Sequence, residues 1–127
     1  MERVAGIGGL FIKAENPQQL ARWYEDNLGV SRVPTSYGEE PWMQEAGPTA
    51  FAAFEKSSEF FGRGSQQWML NFRVHNLQAM VAQLRAAGIE VTVDETEYPN
   101  GWFASLCDPE GNPIQLWQPE SPAATKE

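Results

Sequence analysis

Lys13 and Arg73 are the charged residues best placed for chemistry. They stand sixty residues apart in matching contexts, "LFIKAEN" and "LNFRVHN". Neighbours in a strand point to opposite faces. Alternation therefore sends Leu10, Ile12 and Ala14 to the core in the first stretch, and Trp68, Leu70, Phe72 and Val74 in the second. Gly9, Phe11 and Lys13, and likewise Gln67, Met69, Asn71 and Arg73, are left on the other face. In "DPEGNPIQLWQP" the same rule buries Ile114 and Leu116 and turns Pro113, Gln115 and Trp117 outward. A cation facing a partly enclosed, aromatic-lined space needs a counter-charge or water. Lys13 and Arg73 are thus candidates for binding an anionic group, such as a carboxylate, on a ligand stacked against Phe11, Trp102, Phe103 or Trp117. Met69, Asn71 and Gln115 complete the candidate wall. The competing reading has both cations snorkel to the sheet edge or pair with acids such as Glu55.

The remaining reactive side chains give no nucleophile or general base. His75, the lone histidine, sits beside the expected helix cap at Asn76 and reads as an exposed structural residue. Cys107 has no histidine near it in sequence and reads as buried packing. Asp108 and Pro109 suit the first positions of a type I turn, and Gly111 supplies a positive φ, so "DPEGN" is explained by turn chemistry alone. Catalytic residues remain unassigned.

These side chains need elements to position them. A strand is expected over 6–14, followed by a helix in "NPQQLARWYEDNLG". Asn16 would cap it, Pro17 suits the first helical position, Leu20, Trp23, Tyr24 and Leu28 form its apolar face, and Gly29 ends it. The design returns as a strand over 67–74, a cap at Asn76 and a helix closing at Gly88. Sliding by sixty pairs Leu10 with Leu70, Ile12 with Phe72, Lys13 with Arg73 and Asn16 with Asn76, which is an internal repeat. Short strands are expected after each helix, over 30–35 and 49–54, then over 89–95, 102–107 and 113–117. A long loop covers 36–47, and "SSEFFGRGSQQ" links the halves.

With 127 residues the chain has the size of one domain. Seven phenylalanines and five tryptophans mark a folded core rather than a disordered chain. The net charge of −8 argues against nucleic-acid or anionic-membrane partners, because no Lys/Arg run exists to neutralise phosphates. One cysteine precludes an internal disulfide, and the chain shows neither a leader nor a membrane-length apolar run. The expectation is a cytoplasmic protein.

Three stretches carry a resemblance: "FIKAENPQQLARWYEDNLGV", "LNFRVHNLQAMVAQLRAAGIEV" and "DPEGNPIQLWQP". Together they resemble the vicinal oxygen chelate superfamily of glyoxalases, ring-cleaving (extradiol) dioxygenases and bleomycin-resistance proteins. The resemblance implies an α+β fold of two βαβββ modules forming a partly open curled β-sheet barrel around a cavity, commonly completed by a second subunit, hence a homodimer. A single domain over 1–127 would divide into module 1 at about 4–58, module 2 at about 65–118 and a polar tail over 119–127.

In metal-dependent members the first strand of each module supplies His or Gln and the last an acid. The corresponding places here hold Gly9, Met69 and Gln115, with the fourth falling near Thr49 or Glu55. A transition-metal site needs about three His, Cys or carboxylate ligands, and only Gln115 and Glu55 remain as weak candidates. A divalent metal is disfavoured and no cofactor is expected. Three functional readings follow. The chain binds a small anionic organic molecule; it is a family lyase, isomerase or dioxygenase with an atypical or metal-free site using Lys13, Asn71, Arg73 and Gln115; or it is a non-catalytic dimerisation or interaction domain.

Overall fold

A computed structural model describes residues 1–120; the expected tail beyond them, 121–127, lies outside the described residues. The first helix, α1, spans Pro17–Leu28. Proline at its start loses no hydrogen bond. Leu20 and Tyr24 are buried, while Trp23 and Leu28 pack half-buried against the same core. Gly29 ends the helix with φ 74°, a conformation that costs glycine least.

The expected side-chain cap at Asn16 does not form. The carboxylate of Glu110 takes over, accepting the N–H groups of Glu15 at 2.8 Å and Asn16 at 3.0 Å. A negative charge there also suits the helix dipole.

The second half builds a complete βαβββ unit. β1 (Leu70–Arg73) leads into α2 (Leu77–Ala86), and β2 (Thr92–Val93), β3 (Gly101–Cys107) and β4 (Pro113–Pro119) follow. Asn76 caps α2 as its sequence position predicts, accepting from the Ala79 N–H at 3.0 Å. The Gln118 side chain accepts the Leu77 N–H at 2.7 Å, tying the end of β4 to the start of α2. The strands form one mixed sheet in the order β1-β4-β3-β2, with β1 parallel to β4 and the other pairs antiparallel.

One face of this sheet is the core side. Ala104, Leu106, Ile114 and Leu116 meet Leu77, Val81 and Leu84 of α2 and Leu20 and Tyr24 of α1 in one cluster. Leu84, Ile114 and Leu116 are the largest fully buried side chains. Each contributes about 2–3 kcal/mol by leaving water.

The "DPEGN" turn does more than reverse the chain. Asp108 is 4 % exposed, and its carboxylate accepts four hydrogen bonds, from the Tyr24 hydroxyl (2.7 Å), the Glu110 and Asn112 N–H groups and the Asn112 amide. Together with Glu110, this turn pins α1 to the β3–β4 hairpin.

The fold is α+β with a partly open sheet, as the resemblance implies. Its strands, however, all come from the second half: among the described residues none forms over 6–14, 30–35 or 49–54. Alternation marks a face, but a strand exists only where a partner takes its N–H and C=O groups. In the first half Pro34, Pro41 and Pro48 have no N–H to offer. Leu10, Phe11 and Phe51 stand 52 %, 96 % and 92 % exposed.

Candidate ligand-binding face of the sheet

Alternation in three adjacent strands places a second set of side chains on the face away from the helices. The register aligns Asn71, Gln115 and Ser105 in one row and Arg73, Trp117 and Phe103 in the next. Residues opposite one another in adjacent strands share a face, and rows two residues apart lie about 7 Å from each other. The face therefore carries a polar row beside an aromatic one.

In the aromatic row the rings of Phe103 and Trp117 lie nearly coplanar in orientation, 2° apart with centroids at 6.3 Å. The Trp117 indole N–H donates to the Asn100 carbonyl at 2.7 Å, which fixes the ring. Tyr98 meets Phe103 edge-on with centroids 5.8 Å apart. Its hydroxyl donates to Asp94 at 2.8 Å, and this hydrogen bond, with a smaller effect of desolvation, raises the phenol above its ordinary pKa. The result is an aromatic surface open on one side.

In the polar row the Asn71 amide donates to the Gln115 side-chain oxygen at 2.7 Å. This pairing leaves the Asn71 oxygen and the Gln115 amino group available for further hydrogen bonds. Ser105, exposed, is the next residue across.

Arg73 is not idle. Its Nη2 donates to the Glu45 carbonyl at 2.6 Å, and its Nη1 donates to the Pro48 carbonyl at 2.5 Å and the Thr49 hydroxyl at 3.3 Å. Nearby, His75 is exposed, as expected, with Nε2 2.9 Å from a Glu45 carboxylate oxygen.

Other expected site residues fall elsewhere. Trp102 packs half-buried against the core, because it alternates with Phe103 and belongs to the helix side. Phe11 and Lys13 are exposed in the strandless first segment, and Glu55 is exposed in the loop before the second half. Met69 is half-buried one residue ahead of β1.

Cys107, expected to be buried, is exposed. With Ala104 and Leu106 inward, alternation puts it on the open face beside Pro113. The alternation of β3 already held that signal, and it would also have found Ser105. Tyr98 lies outside the long strands and gives no such signal.

The places at which the resemblance puts metal ligands hold Gly9, Met69 and Gln115. Gly9 has no donor, Met69 offers a soft thioether, and the Gln115 oxygen already accepts from Asn71. Among the described residues no three His, Cys, Asp or Glu side chains converge.

A small α+β domain with helices on one face of a mixed sheet and a bare, part-aromatic opposite face defines the class. The sequence profile of the glyoxalase-like domain matches residues 9–117, and the chain belongs to that family. No curated protein shows significant sequence similarity to it.

Solved structures share the fold. An antibiotic-binding protein, TnmS3, from Streptomyces sp. CB03234 is 22% identical with a TM-score of 0.63, covering 94% of this chain and 100% of its own. A protein from the mobile metagenome of V. Pseudocholerae is 17% identical with a TM-score of 0.59, over 95% of this chain and 99% of its own. A virulence protein from Salmonella typhimurium is 20% identical with a TM-score of 0.52, over 87% of this chain and 100% of its own.

Proposed function

We propose that this protein binds a small organic molecule with a flat ring system on the open face of the sheet, without a metal ion, and so sequesters or senses it. The observation that carries the reading is the fixed Phe103–Trp117 pair, whose parallel rings sit beside the Asn71–Gln115 amide pair. Stacking on such a surface suits planar ligands, and the amides can orient a carbonyl or hydroxyl on the ligand's edge. The antibiotic-binding relative of the same fold supports a binding rather than a catalytic role. Among the described residues, His75 is turned to Glu45 and Cys107 is an exposed thiol.

A thermal-shift screen of aromatic carboxylates, amides and antibiotics tests this reading. A ligand that binds only the native state raises the unfolding midpoint. The expected result is stabilisation by planar compounds, lost in Trp117→Ala. Equal stabilisation of the variant would place binding elsewhere.

A second reading rests on the apolar side chains of the first half. Phe11, Met43 and Phe51 are 96 %, 74 % and 92 % exposed. Exposed apolar surface of this kind marks interaction sites. We infer that a second copy of the chain covers these segments and that the working protein is a homodimer. Light scattering at micromolar concentration giving the mass of one chain would contradict it.

A further inference from the structure

The segment 42–49 wraps the free edge of the sheet. β1 is an outer strand, with β4 on one side only. On the core side the Trp42 ring meets Phe72 at 6.5 Å. On the open side the main chain reaches Arg73 through the carbonyls of Glu45 and Pro48. Phe72 and Arg73 are consecutive and alternate in direction, so the segment passes from one face to the other around β1.

The approach at Arg73 is close. A Cβ added at Gly47 would lie 2.9 Å from its Nε and 3.1 Å from its Cζ. A side chain at position 47 would therefore crowd the guanidinium end of Arg73, which would have to shift. The contacts have a particular chemistry as well. Two neutral carbonyl oxygens occupy the two terminal nitrogens, the positions at which a carboxylate would bind the guanidinium fork. Arg73 is in register with Trp117, half of the aromatic pair.

We propose that Arg73 is an exchangeable clasp: in the free protein it holds the 42–49 strap through main-chain carbonyls, and a ligand carboxylate beside Trp117 takes the guanidinium over and releases the strap. The inference rests on the ligand-face reading and adds to it the ligand's anionic group and a conformational response. What drives the exchange at the arginine is the full opposite charge and the fork-matching bidentate geometry of a carboxylate, neither of which two separate main-chain carbonyls supply. The exchange costs the strap its anchor. The His75–Glu45 contact is solvent-exposed on both sides and adds little hold.

Glutamyl endopeptidase cleavage after Glu45 reads the strap directly. The probes are 2-naphthoate and its neutral counterpart 2-naphthamide. Cleavage is expected to be several-fold faster in Arg73→Ala than in wild type without any probe. In wild type, naphthoate accelerates it and naphthamide does not; in Arg73→Ala neither does. Gly47→Ala, which crowds the clasp and leaves the guanidinium intact, is expected to cleave faster and to bind naphthoate more tightly, since less strap must be displaced.

Wild-type cleavage rates in both variants would overturn the clasp. Thermal stabilisation by naphthoate with no change in cleavage would overturn exchange while leaving the ligand face standing. Failure of both probes to stabilise wild type would count against the ligand face, and the variants' cleavage rates would still decide whether Arg73 holds the strap.

Discussion

In the second half of the chain, Leu70–Arg73 pairs residue for residue with Ile114–Trp117, and the sheet extends through β3 to β2. In the first half, the matching run Leu10–Lys13 forms no strand, and Phe11 lies 96 % exposed. The two runs share alternation, length and a following helix. What differs is the supply of partners. The second half presents β3 and β4 as a hairpin closed by the Asp108 turn, so that β4 is in place for β1 to join. The first half is anchored at its helix, through Tyr24 to Asp108 and through Glu110, and at segment 42–49, through Arg73, and both anchors are borrowed from the second half. Repeated sequence pattern thus specifies equivalent faces without guaranteeing equivalent pairing.

The contrast can be broken by mutation, and the borrowed helix anchor is where the largest effect is expected. Asp108→Ala leaves the Tyr24 hydroxyl and three turn donors without their acceptor, in a site 4 % exposed. The expected loss is about 4 kcal/mol in urea unfolding. A loss below about 1 kcal/mol would mean that the turn does not hold the halves together.

Next come paired truncations of apolar residues. Leu116→Ala, at a side chain with 0 % exposure, should cost about 3 kcal/mol. Phe51→Ala, 92 % exposed, should change monomer stability by less than about 0.5 kcal/mol. A cost at Phe51 that grows with protein concentration would instead reveal the covering second copy inferred above.

Tyr24→Phe isolates one bond of the anchor, with an expected cost of about 1–1.5 kcal/mol. It also carries a pH signature. Burial, reinforced by the hydrogen bond and the charge of Asp108, pushes the Tyr24 phenol well above its ordinary value of 10.0. A raised folded-state pKa means full stability below the unfolded value and loss as pH climbs past it. Stability should therefore begin to fall near pH 10, and the fall should be shallower in Tyr24→Phe. An unchanged alkaline limb would remove Tyr24 from the account. Among the variants that break the anchor, the smallest effect is expected for Glu110→Ala, which uncaps α1 at a cost of about 1 kcal/mol.

Much of the second half, and the end of the first helix, is legible from residues alone. Asn76 caps α2, Gly29 closes α1 in the left-handed region, and alternation sorts Ile114 and Leu116 inward from Gln115 and Trp117. These features depend on neighbours a few positions away. The features that escape depend on distant ones. Asn16 looks like a cap, yet the capping carboxylate arrives from Glu110, and Asp108 reads as turn chemistry until Tyr24 is seen across 84 positions. Arg73 alternates to the open face as expected, but nothing in "NFRVHN" reveals that carbonyls of 45 and 48 occupy it. Trp102 and Cys107 form a different group. Their placement follows from the same alternation applied strictly along β3, where Ala104 and Leu106 set the inward phase.

The central claim is that small planar molecules are held on the open face against Trp117, and Ser105, exposed in the row next to Phe103 and Trp117, is the place for a reporter. Cys107 lies one row further away and is the only cysteine, so Ser105→Cys combined with Cys107→Ser moves the single thiol beside the aromatic pair. The direct measurement is the rate at which that thiol reacts with a thiol reagent in the folded protein, with and without a planar compound that raises the unfolding midpoint. The account predicts rapid reaction of the free protein, a several-fold slowing as the compound saturates, and no slowing when Trp117→Ala is added. A compound that stabilises the protein while leaving the thiol rate unchanged, or slowing it equally with Trp117→Ala, would contradict it.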